Sequence, residues 1–275
     1  MSQRSILITG CSSGIGEYCA RALSQRGWRV FATARRDEDL ARLRADGFEA
    51  LYLDYREPES IKALAEEVLE RAGGRLDALF NNGAYAQPGA VEDISSALLR
   101  EQFEANFFGW HDLTCRLVPA MRRHRSGRIV MCSSVLGLWA LKYRGAYTAS
   151  KFALEGLTDT LRLELRGSGI FVSLIEPGPI RSRFREHALD AFLSNIDREN
   201  SAHRKAYRRQ LARLEGRRSS RFKHGPEVVF TKLLQALESP RPRAHYYVTP
   251  ATHLVALALR FLPRRTLDRG ANRLS

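Results

Sequence analysis

The fold of this chain is decided by Ser5-Ile6-Leu7-Ile8-Thr9-Gly10-Cys11-Ser12-Ser13-Gly14-Ile15-Gly16, an apolar run that passes directly into a glycine-rich loop. The apolar run has the length and composition of a buried strand. The glycines permit a tight turn and let another group approach the backbone closely. A helix that opens at this loop would offer free N–H groups and a positive dipole end, which bind phosphate. The stretch therefore predicts a strand, a phosphate-binding loop and a helix in succession.

The rest of the chain repeats the alternation of strand and helix. Strand-like runs are expected at residues 5–9, 29–34, 50–54, 76–81, 128–133, 170–176 and 245–249. Helical periodicity is clearest at residues 60–72, 96–123, 150–166 and 226–238. Nearly all-apolar strands that alternate with helices are typical of a parallel sheet covered on both faces. We therefore expect an α/β fold: one domain with a doubly wound, Rossmann-like sheet of about seven strands.

The composition fits one large domain and excludes several classes of site. Of the 275 residues, 44 are basic and 30 are acidic, for a net charge of +14. No nucleic-acid-binding motif accompanies this charge, so an arginine-rich surface is favoured over a nucleic-acid partner. The cysteines Cys11, Cys19, Cys115 and Cys132 show neither disulfide nor metal-ligand spacing, and the histidines are scattered. We expect reduced cysteines, no metal site, no signal peptide and a cytoplasmic protein.

Two segments depart from the regular alternation. Residues 182–224 are long, compatible with helices and rich in arginine, and we interpret them as a small helical lid over a substrate cleft. Residues 250–275 form a C-terminal extension, in which the apolar run 253–262 precedes Pro263-Arg264-Arg265. This run could rest on a membrane surface as a peripheral contact, pack at a subunit interface, or cover the cleft. Packing within the protein is the favoured interpretation.

The end of the second predicted strand carries Arg35 and Arg36. In dinucleotide-binding folds an acidic residue at this place binds a ribose 2′-hydroxyl, whereas arginine suits a 2′-phosphate. This pattern favours NADP(H) over NAD(H), although Asp37 remains an alternative ribose ligand. Asp54 lies at the end of the third predicted strand. It either contacts the adenine of the dinucleotide through its carboxylate or backbone, or is only a turn residue.

A second group of residues has the chemistry of proton transfer. Tyr147 and Lys151 are four residues apart and share one face of a predicted helix, and Ser134 lies thirteen residues before the tyrosine. The positive charge of the lysine is expected to lower the pKa of the phenol. The serine hydroxyl is suited to hold a carbonyl or alcohol oxygen. Together the three side chains predict a site that moves a proton to or from a C–O group.

These motifs occur in the order found in one known family. The glycine pattern, Asn81-Asn82, Asn106, Ser134, Tyr147, Lys151 and Pro177-Gly178 together resemble the short-chain dehydrogenase/reductase family over about residues 4–250. Within the family the chain looks most like NADP(H)-using reductases related to retinol and 17β-hydroxysteroid dehydrogenases. The resemblance implies a homodimer or homotetramer that acts on a small molecule.

The resemblance also implies a role for each matching residue. Tyr147 would be the general acid or base, Lys151 would lower its pKa and bind the nicotinamide ribose, and Ser134 would bind the substrate oxygen. Asn106 would anchor a water that links Lys151 to solvent. With Tyr147, Lys151 and the residues discussed above, the implied cofactor contacts are Gly10, Ser12, Ser13, Gly14, Ile15, Gly16, Arg35, Arg36, Asp54, Asn82, Gly83, Pro177, Gly178, Ile180 and Ser182.

The chain departs from the family pattern at two places. Asn81-Asn82-Gly83-Ala84 replaces the usual Asn-Asn-Ala-Gly. Both residues stay small, so only the local backbone conformation is expected to differ from that of the family. Ser13 stands where many NADP(H)-using members have a basic residue, so Arg35 and Arg36 would provide most of the phosphate recognition.

The leading functional hypothesis is NADP(H)-dependent interconversion of a carbonyl and an alcohol. Apolar residues between the serine and the tyrosine either line a lipophilic cleft or belong to the core; they are Leu136, Leu138, Trp139, Leu141 and Tyr143. The arginine-rich lid leaves a 3-oxoacyl thioester as an alternative substrate. A third hypothesis is a non-catalytic regulator that senses NADP(H), although such a protein would not need the proton-transfer residues.

Overall fold

All seven predicted strands are present in the computed structural model, which describes residues 3–214 and 224–274. Each predicted boundary is correct to within two residues. The strands are β1 (Ser5–Ile8), β2 (Arg29–Ala34), β3 (Glu49–Tyr52), β4 (Ala78–Asn81), β5 (Gly127–Cys132), β6 (Ile170–Glu176) and β7 (His245–Tyr247). They form one parallel sheet in the order β3-β2-β1-β4-β5-β6-β7. The doubly wound fold is confirmed.

Helices cover both faces of the sheet, which explains the nearly continuous apolar character of the strands. Those in the described residues are α1 (Gly14–Ser24), α2 (Asp37–Ala45), α3 (Pro58–Arg71), α4 (Ser96–Phe103), α5 (Gly109–His124), α6 (Gly145–Glu164), α7 (Phe184–Asn195), α8 (Arg204–Leu214), α9 (Glu227–Glu238), α10 (Pro250–Phe261) and α11 (Arg264–Leu274). α1 packs on α9, and α3 packs on α5. All four residues of β1 are buried between these layers.

The order of the strands reverses between β1 and β4, because β1 leads to β2 on one side and pairs with β4 on the other. Such a switch point leaves a crevice outside the carboxyl ends of the two strands, where open α/β sheets bind ligands. The glycine-rich loop follows β1, and Asn82 follows β4. The topology therefore brings two of the sequence motifs to one edge.

The helix predicted over residues 96–123 is not continuous. A π-helical turn at Glu104–Phe108 separates α4 from α5. A π turn inserts extra backbone into a helix and is frequent at functional sites. It is nearly invisible to hydrophobic periodicity, since the helix continues on either side. Asn106, one of the predicted site residues, lies inside this turn.

The segment predicted as a lid contains two helices, α7 and α8, as expected. Its residues 215–223 lie outside the described part of the chain.

The prediction that the apolar run 253–262 packs within the protein is only half correct. One face of α10 is inward, since Thr252 is fully buried, but Leu254, Leu257 and Phe261 are exposed. A purely sequence-based argument weighs total apolarity, and it cannot tell how many faces of a terminal helix find a partner. Within the described residues, no helix is both long and apolar enough to cross a membrane.

Candidate active site

The side chain of Thr9 joins the carboxyl ends of β1 and β4. Its hydroxyl oxygen accepts hydrogen bonds from the backbone N–H groups of Asn82 and Gly83, at 2.8 and 3.1 Å. The Asn82 amide in turn donates to the Thr9 carbonyl at 3.0 Å and lies 3.4 Å from the Gly10 carbonyl. Asn82 and Gly83 are therefore brought against the glycine-rich loop. Thr9 was not selected by the sequence analysis, which treated it only as a strand end.

The N-terminus of α1 is left open towards the crevice. Ser13 occupies the N-cap position, yet its side chain makes no capping hydrogen bond. The Ser12 carbonyl is held by the Arg42 guanidinium at 2.6 Å, and Arg42 also pairs with Glu17 at 2.7 Å. Ile15 packs against the main hydrophobic core, so its backbone is the part that faces the loop. An uncapped helix start with free N–H groups is suited to bind a phosphate.

Two glycines of the loop make close contacts that exclude any larger residue. A Cβ atom on Gly16 would lie 2.2 Å from the Gly10 carbonyl oxygen and 2.8 Å from the Asn82 amide nitrogen. Gly14 has a φ of +64°, and a Cβ there would lie 2.7 Å from the Cβ of Ser182. The loop is thus in contact with Ser182, at the start of the segment predicted as a lid.

Gly16→Ala should weaken the nucleotide site by roughly tenfold or more in Kd, equivalent to about 1.4 kcal/mol, and should lower the melting temperature. The added methyl must displace the backbone of the glycine-rich loop. Titration with NADPH and thermal unfolding would measure both effects. The matched control is Gly156→Ala on α6, where nothing lies within 4 Å of the new Cβ. That variant should be unchanged or more stable by up to about 1 kcal/mol; similar behaviour of the two variants would contradict the argument.

The two arginines after β2 differ in how firmly they are held. Arg36 donates to Asp39 at 2.8 Å. The two side chains are almost equally exposed, but the carboxylate neighbour of Arg35, Asp54, lies farther away, at 3.8 Å. Although burial alone would raise it, the pKa of the Asp54 carboxyl lies below its usual range because Arg56 bonds to it at 2.6 Å. Arg35 is therefore the less engaged of the two arginines.

Tyr147 and Ser134 meet in the structure as predicted. Tyr147 is the third residue of α6 and is only 8% exposed. Ser134 follows β5 and caps a short 3₁₀ turn, where its Oγ accepts the Leu136 N–H at 3.1 Å. The two side chains share a hydrogen bond. Since Ser134 accepts from the backbone through one lone pair, its single hydroxyl proton is directed at the Tyr147 oxygen and could turn to a substrate oxygen bound beside it.

Lys151 lies one helical turn beyond Tyr147 and is almost fully buried. Its Nζ donates to the Cys132 carbonyl at 2.8 Å. The same Nζ lies 4.1 Å from the centroid of the Trp110 ring and 5.8 Å from the centroid of the Tyr147 ring. Burial lowers the pKa of the Lys151 ammonium to about 8. The amine is therefore mostly protonated at neutral pH.

The expected depression of the pKa of Tyr147 is not found. Burial raises the pKa of the phenol above its usual range, and the hydrogen bond with Ser134 offsets this only in part. Lys151 does lie on the face of the helix that carries Tyr147, but the free-energy cost of ionising a buried phenol outweighs the effect of its charge. In this structure the lysine makes its hydrogen bond to the Cys132 carbonyl instead. Tyr147 is thus protonated at neutral pH, which is the form that a general acid requires.

Asn106 is completely buried and connects three parts of the chain. Its amide oxygen accepts the Tyr85 N–H at 3.1 Å, and its amide nitrogen donates to the Tyr85 carbonyl at 2.9 Å. The same nitrogen lies 3.4 Å from Ser150 Oγ, which donates to the Tyr147 carbonyl at 2.8 Å. Asn106 therefore fixes the start of α6, on which Tyr147 and Lys151 stand. Its predicted role in anchoring a water remains a prediction.

The loop after β6 closes against the same site. The Pro177 carbonyl accepts the Val135 N–H at 2.9 Å, next to Ser134. Gly178 leaves no room for a side chain, since a Cβ there would lie 2.3 Å from Thr249 Oγ1. Ile180 forms an isolated parallel bridge with His224. Pro177 thus lies beside the serine, while Ser182, farther along the loop, lies against Gly14.

Apolar side chains surround the outer side of Tyr147. The ring of Phe184, the first residue of α7, meets the ring of Tyr147 edge-on, with centroids 5.5 Å apart. Leu136 and Tyr143 pack partly buried against a small cluster distinct from the main core. This cluster consists of Ala86, Ala90, Tyr147, Ala188, Phe192, Ile196 and Tyr207. The residues between Ser134 and Tyr147 that fall here therefore line the site rather than the main core.

Hydrogen bonds hold helix α8 against this cluster. The Tyr207 hydroxyl donates to Asp93 and accepts the Ala90 N–H at 2.8 Å. His203 lies 2.5 Å from Glu92. These contacts tie α8, and His203 directly before it, to the 3₁₀ turn at Val91–Asp93. The 3₁₀ turn and the helices α7 and α8 thus form one wall beside Tyr147.

Trp110 is a further residue of the site that no sequence motif indicated. This buried residue donates from Nε1 to the Gly83 carbonyl at 3.0 Å, while its ring lies against the Lys151 ammonium. It thereby joins the crevice at the strand ends to α6. The only signal in the sequence was its position four residues after Asn106, and that spacing means little without the π turn.

A partly buried cluster of titratable groups lies one turn beyond Lys151. His245 Nδ1 is 2.7 Å from Glu176 Oε1 and 3.8 Å from Glu155 Oε2. The three residues offer ligand atoms within 4.8 Å of one another, a geometry that could hold a metal. No sequence pattern indicated this cluster, because its three residues are far apart along the chain. The hydrogen bond between His245 and Glu176 accounts for the cluster without an ion, and we assign it no metal role.

Glu155→Gln should reduce the loss of stability on going from about pH 5 to about pH 8. Burial, reinforced by the charge of Glu176, raises the pKa of the Glu155 carboxyl from 4.5 to about 7. A pKa raised by folding contributes stability that is complete below the unfolded value and lost as pH rises through the folded one. The substitution should remove on the order of 2–3 kcal/mol from the difference in unfolding free energy between these two pH values. Urea unfolding across this range measures it.

The control for this comparison is Glu164→Gln, at an exposed position of the same helix. Its pH profile should match that of the unmodified protein. Equal profiles for the two variants would show that Glu155 ionises normally in the folded chain.

Comparison with known proteins agrees with the motifs. Residues 4–191 match the family model described as short chain dehydrogenase. An oxidoreductase of Escherichia coli K12, YbbO, described as uncharacterised, is 44% identical over 267 residues, which are 97% of this chain and 93% of that protein. Human 17-beta-hydroxysteroid dehydrogenase type 1 is 34% identical over 292 residues, with 98% of this chain and 82% of that protein covered.

Solved structures show the same relationship. A short-chain dehydrogenase/reductase from Burkholderia phymatum, in complex with NAD, has a TM-score of 0.78 at 26% identity, with 94% and 92% of the two chains covered. Actinorhodin polyketide ketoreductase with NADPH has a TM-score of 0.73 at 29% identity, with 91% and 97% covered. Neighbours of similar fold thus bind either nicotinamide dinucleotide. The family match over more than half of the chain, together with the relatives of at least 30% identity, makes this chain an oxidoreductase of the short-chain dehydrogenase family.

Proposed function

We propose that this protein interconverts a carbonyl compound and an alcohol with NADP(H), using Tyr147 as the general acid and base. The observation that carries the proposal is the group of Tyr147, Ser134 and Lys151 at one buried point. The phenol is protonated and hydrogen-bonded to the serine, and the ammonium lies one helical turn away. This group stands beside the crevice at the switch point of the sheet.

The crevice has the features that a nicotinamide dinucleotide requires. The uncapped start of α1 suits a pyrophosphate, and the glycine-rich loop packs so closely at Gly16 that any Cβ would displace its backbone. Arg35, exposed and loosely paired, is suited to a 2′-phosphate. Asp37, the alternative ribose ligand, is the first residue of α2. When bound, the cofactor supplies or accepts the hydride, and the protein supplies position and the proton.

The protein's own groups account for the proton step. In reduction, Ser134 and Tyr147 donate hydrogen bonds to the substrate oxygen as negative charge develops there. Tyr147 then gives up its proton. The nearby Lys151 charge favours the resulting phenolate. Asn106 holds the first turn of α6 in position through Ser150, whose hydroxyl donates to the Tyr147 carbonyl.

The surroundings of Tyr147 favour a lipophilic substrate over an anionic thioester. Phe184, Leu136 and Tyr143 provide apolar contacts close to the phenol. The hydroxysteroid in the name of the human relative fits the same class. As the family resemblance implies, we propose that the protein acts as a homodimer or homotetramer.

A spectrophotometric assay at 340 nm would test the proposal. Consumption of NADPH and NADH would be followed with aliphatic aldehydes, retinal, ketosteroids and 3-oxoacyl thioesters. Turnover of lipophilic aldehydes or ketones is the expected result. A preference for thioesters would favour the alternative substrate class. Tight NADPH binding without turnover of any carbonyl would instead indicate a sensor of the cofactor.

Arg35→Ala should raise the KM for NADPH by at least ~10-fold and leave the KM for NADH nearly unchanged, because it removes one charge-assisted contact to a phosphate. Arg36→Ala is the matched comparison and should have the smaller effect, since Arg36 is already paired with Asp39. Steady-state kinetics with both cofactors would measure the difference. Equal effects of Arg35→Ala on the two cofactors would exclude a 2′-phosphate contact.

A further inference from the structure

One face of helix α10 exposes an uninterrupted stripe of large apolar side chains. Leu254, Leu257 and Phe261 are 67%, 57% and 74% exposed, and Leu262 directly after the helix is 45% exposed. The spacing of three and four residues places Leu254, Leu257 and Phe261 on one side of the helix, and Leu262 extends the apolar surface past its end. Because a hydrophobic surface of this kind is unfavourable in water, a contiguous stripe indicates a binding surface. We refer to these four residues as the α10 stripe.

The helix itself is firmly attached to the body of the protein, so the stripe is held outward. Thr249 caps α10 by accepting the Thr252 N–H at 3.3 Å, and Thr252 is fully buried. Val255 and Leu259, on the side opposite the stripe, are only partly exposed. α10 contacts the 3₁₀ turn that follows Ser134, and a Cβ on Gly270 of α11 would lie 3.6 Å from the Trp139 ring. The stripe is thus a fixed surface on an element that touches the active-site turn.

The edge of the stripe is strongly basic. Residues 250–275 contain five arginines and a single acidic residue, Asp268. Arg260, Arg264, Arg265 and Arg269 are all exposed. Asp268 lies 3.9 Å from Arg264 and is itself 63% exposed, so it neutralises little of this charge. An apolar stripe bordered by arginines is the pattern of a helix that lies in the interface of an anionic membrane.

We propose that the α10 stripe docks this protein onto an anionic lipid surface. The leucines and the phenylalanine enter the boundary between headgroups and acyl chains, while the arginines of α10 and α11 contact the lipid phosphates. A second copy of the chain is a poorer occupant. A twofold interface would place the same patch against itself and bring arginines against arginines.

Vesicle binding of the full-length protein would test the proposal. Co-sedimentation is compared for vesicles of phosphatidylcholine alone and vesicles that also contain phosphatidylglycerol. Binding should require phosphatidylglycerol and should weaken as salt screens the arginines. The triple substitution Leu254→Ser, Leu257→Ser, Phe261→Ser should reduce partitioning by at least ~10-fold. Arg264→Glu with Arg265→Glu should abolish the preference for the anionic vesicles.

The matched control is Leu163→Ser, which removes a leucine that is 62% exposed on α6, away from the stripe. It should bind vesicles like the unmodified protein. Size-exclusion chromatography of all variants checks their folding and assembly. Failure to bind anionic vesicles, or equal binding by the triple variant, would overturn the proposal. A smaller assembly for the triple variant with unchanged vesicle binding would identify the stripe as an interface between copies. None of these readouts depends on turnover, so they stand apart from the proposed reaction.

Discussion

Replacing Tyr147 with phenylalanine should lower kcat by at least ~100-fold, and by up to about 10,000-fold, because that is the usual contribution of a positioned general acid. The substitution removes only the hydroxyl. The ring that meets Phe184 edge-on is retained, and so is the backbone that binds Ser150. We therefore expect the fold and much of the affinity for NADPH to survive. The loss should appear in the chemical step.

Single-turnover kinetics and an NADPH titration of the same preparation would separate these effects. Ser134→Ala is the comparison within the site and should be impaired less, because it removes a hydrogen bond to the oxygen but leaves the proton donor. Leu163→Ser again serves as a distant control. Full activity of Tyr147→Phe would rule out the proposed mechanism.

Replacing Lys151 with alanine should damage both turnover and cofactor binding. The buried ammonium supports the phenolate and is proposed to bind the nicotinamide ribose, so its loss should reduce kcat/KM by at least ~100-fold. The alanine variant also leaves the Cys132 carbonyl without its donor and a cavity beneath Trp110. An unsatisfied buried acceptor alone costs about 1–3 kcal/mol of folding stability.

Lys151→Met separates the chemical role from the packing role. Methionine restores most of the volume without the charge, so this variant should regain part of the stability but none of the activity. Lys62→Ala, at an exposed lysine on α3, controls for general loss of a positive charge. Activity restored by methionine would show that Lys151 acts only by filling space.

The sequence was most informative where burial alone determines structure. Every strand was predicted because a parallel strand covered on both faces must be apolar along its length. The side chains that the motifs nominated also converge: Asn82 meets the glycine-rich loop, and Ser134 meets Tyr147. These contacts follow from topology, since parallel strands end at one edge of the sheet. Their proposed roles still await the experiments above.

What could not be predicted depends on the balance between neighbours that are distant in sequence. The pKa of Tyr147 is set by its burial, which only the packed site reveals. The contacts of Thr9 and Trp110 join segments more than twenty residues apart. The cluster of Glu155, Glu176 and His245 likewise needs a helix and two strands to be assembled first. None of these leaves a local pattern.

The π turn at Glu104–Phe108 also sets the rotational phase of everything that follows it in α5. Each residue of a regular helix advances the next by about 100° around the axis. Loss of the one extra residue in the turn would therefore swing Trp110 away from Lys151 while Asn106 stayed with Tyr85. Asn106, inside the turn, and Trp110, just after it, therefore reach separate partners from one irregular stretch of helix: Asn106 bonds Tyr85, and the Trp110 ring lies against the Lys151 ammonium.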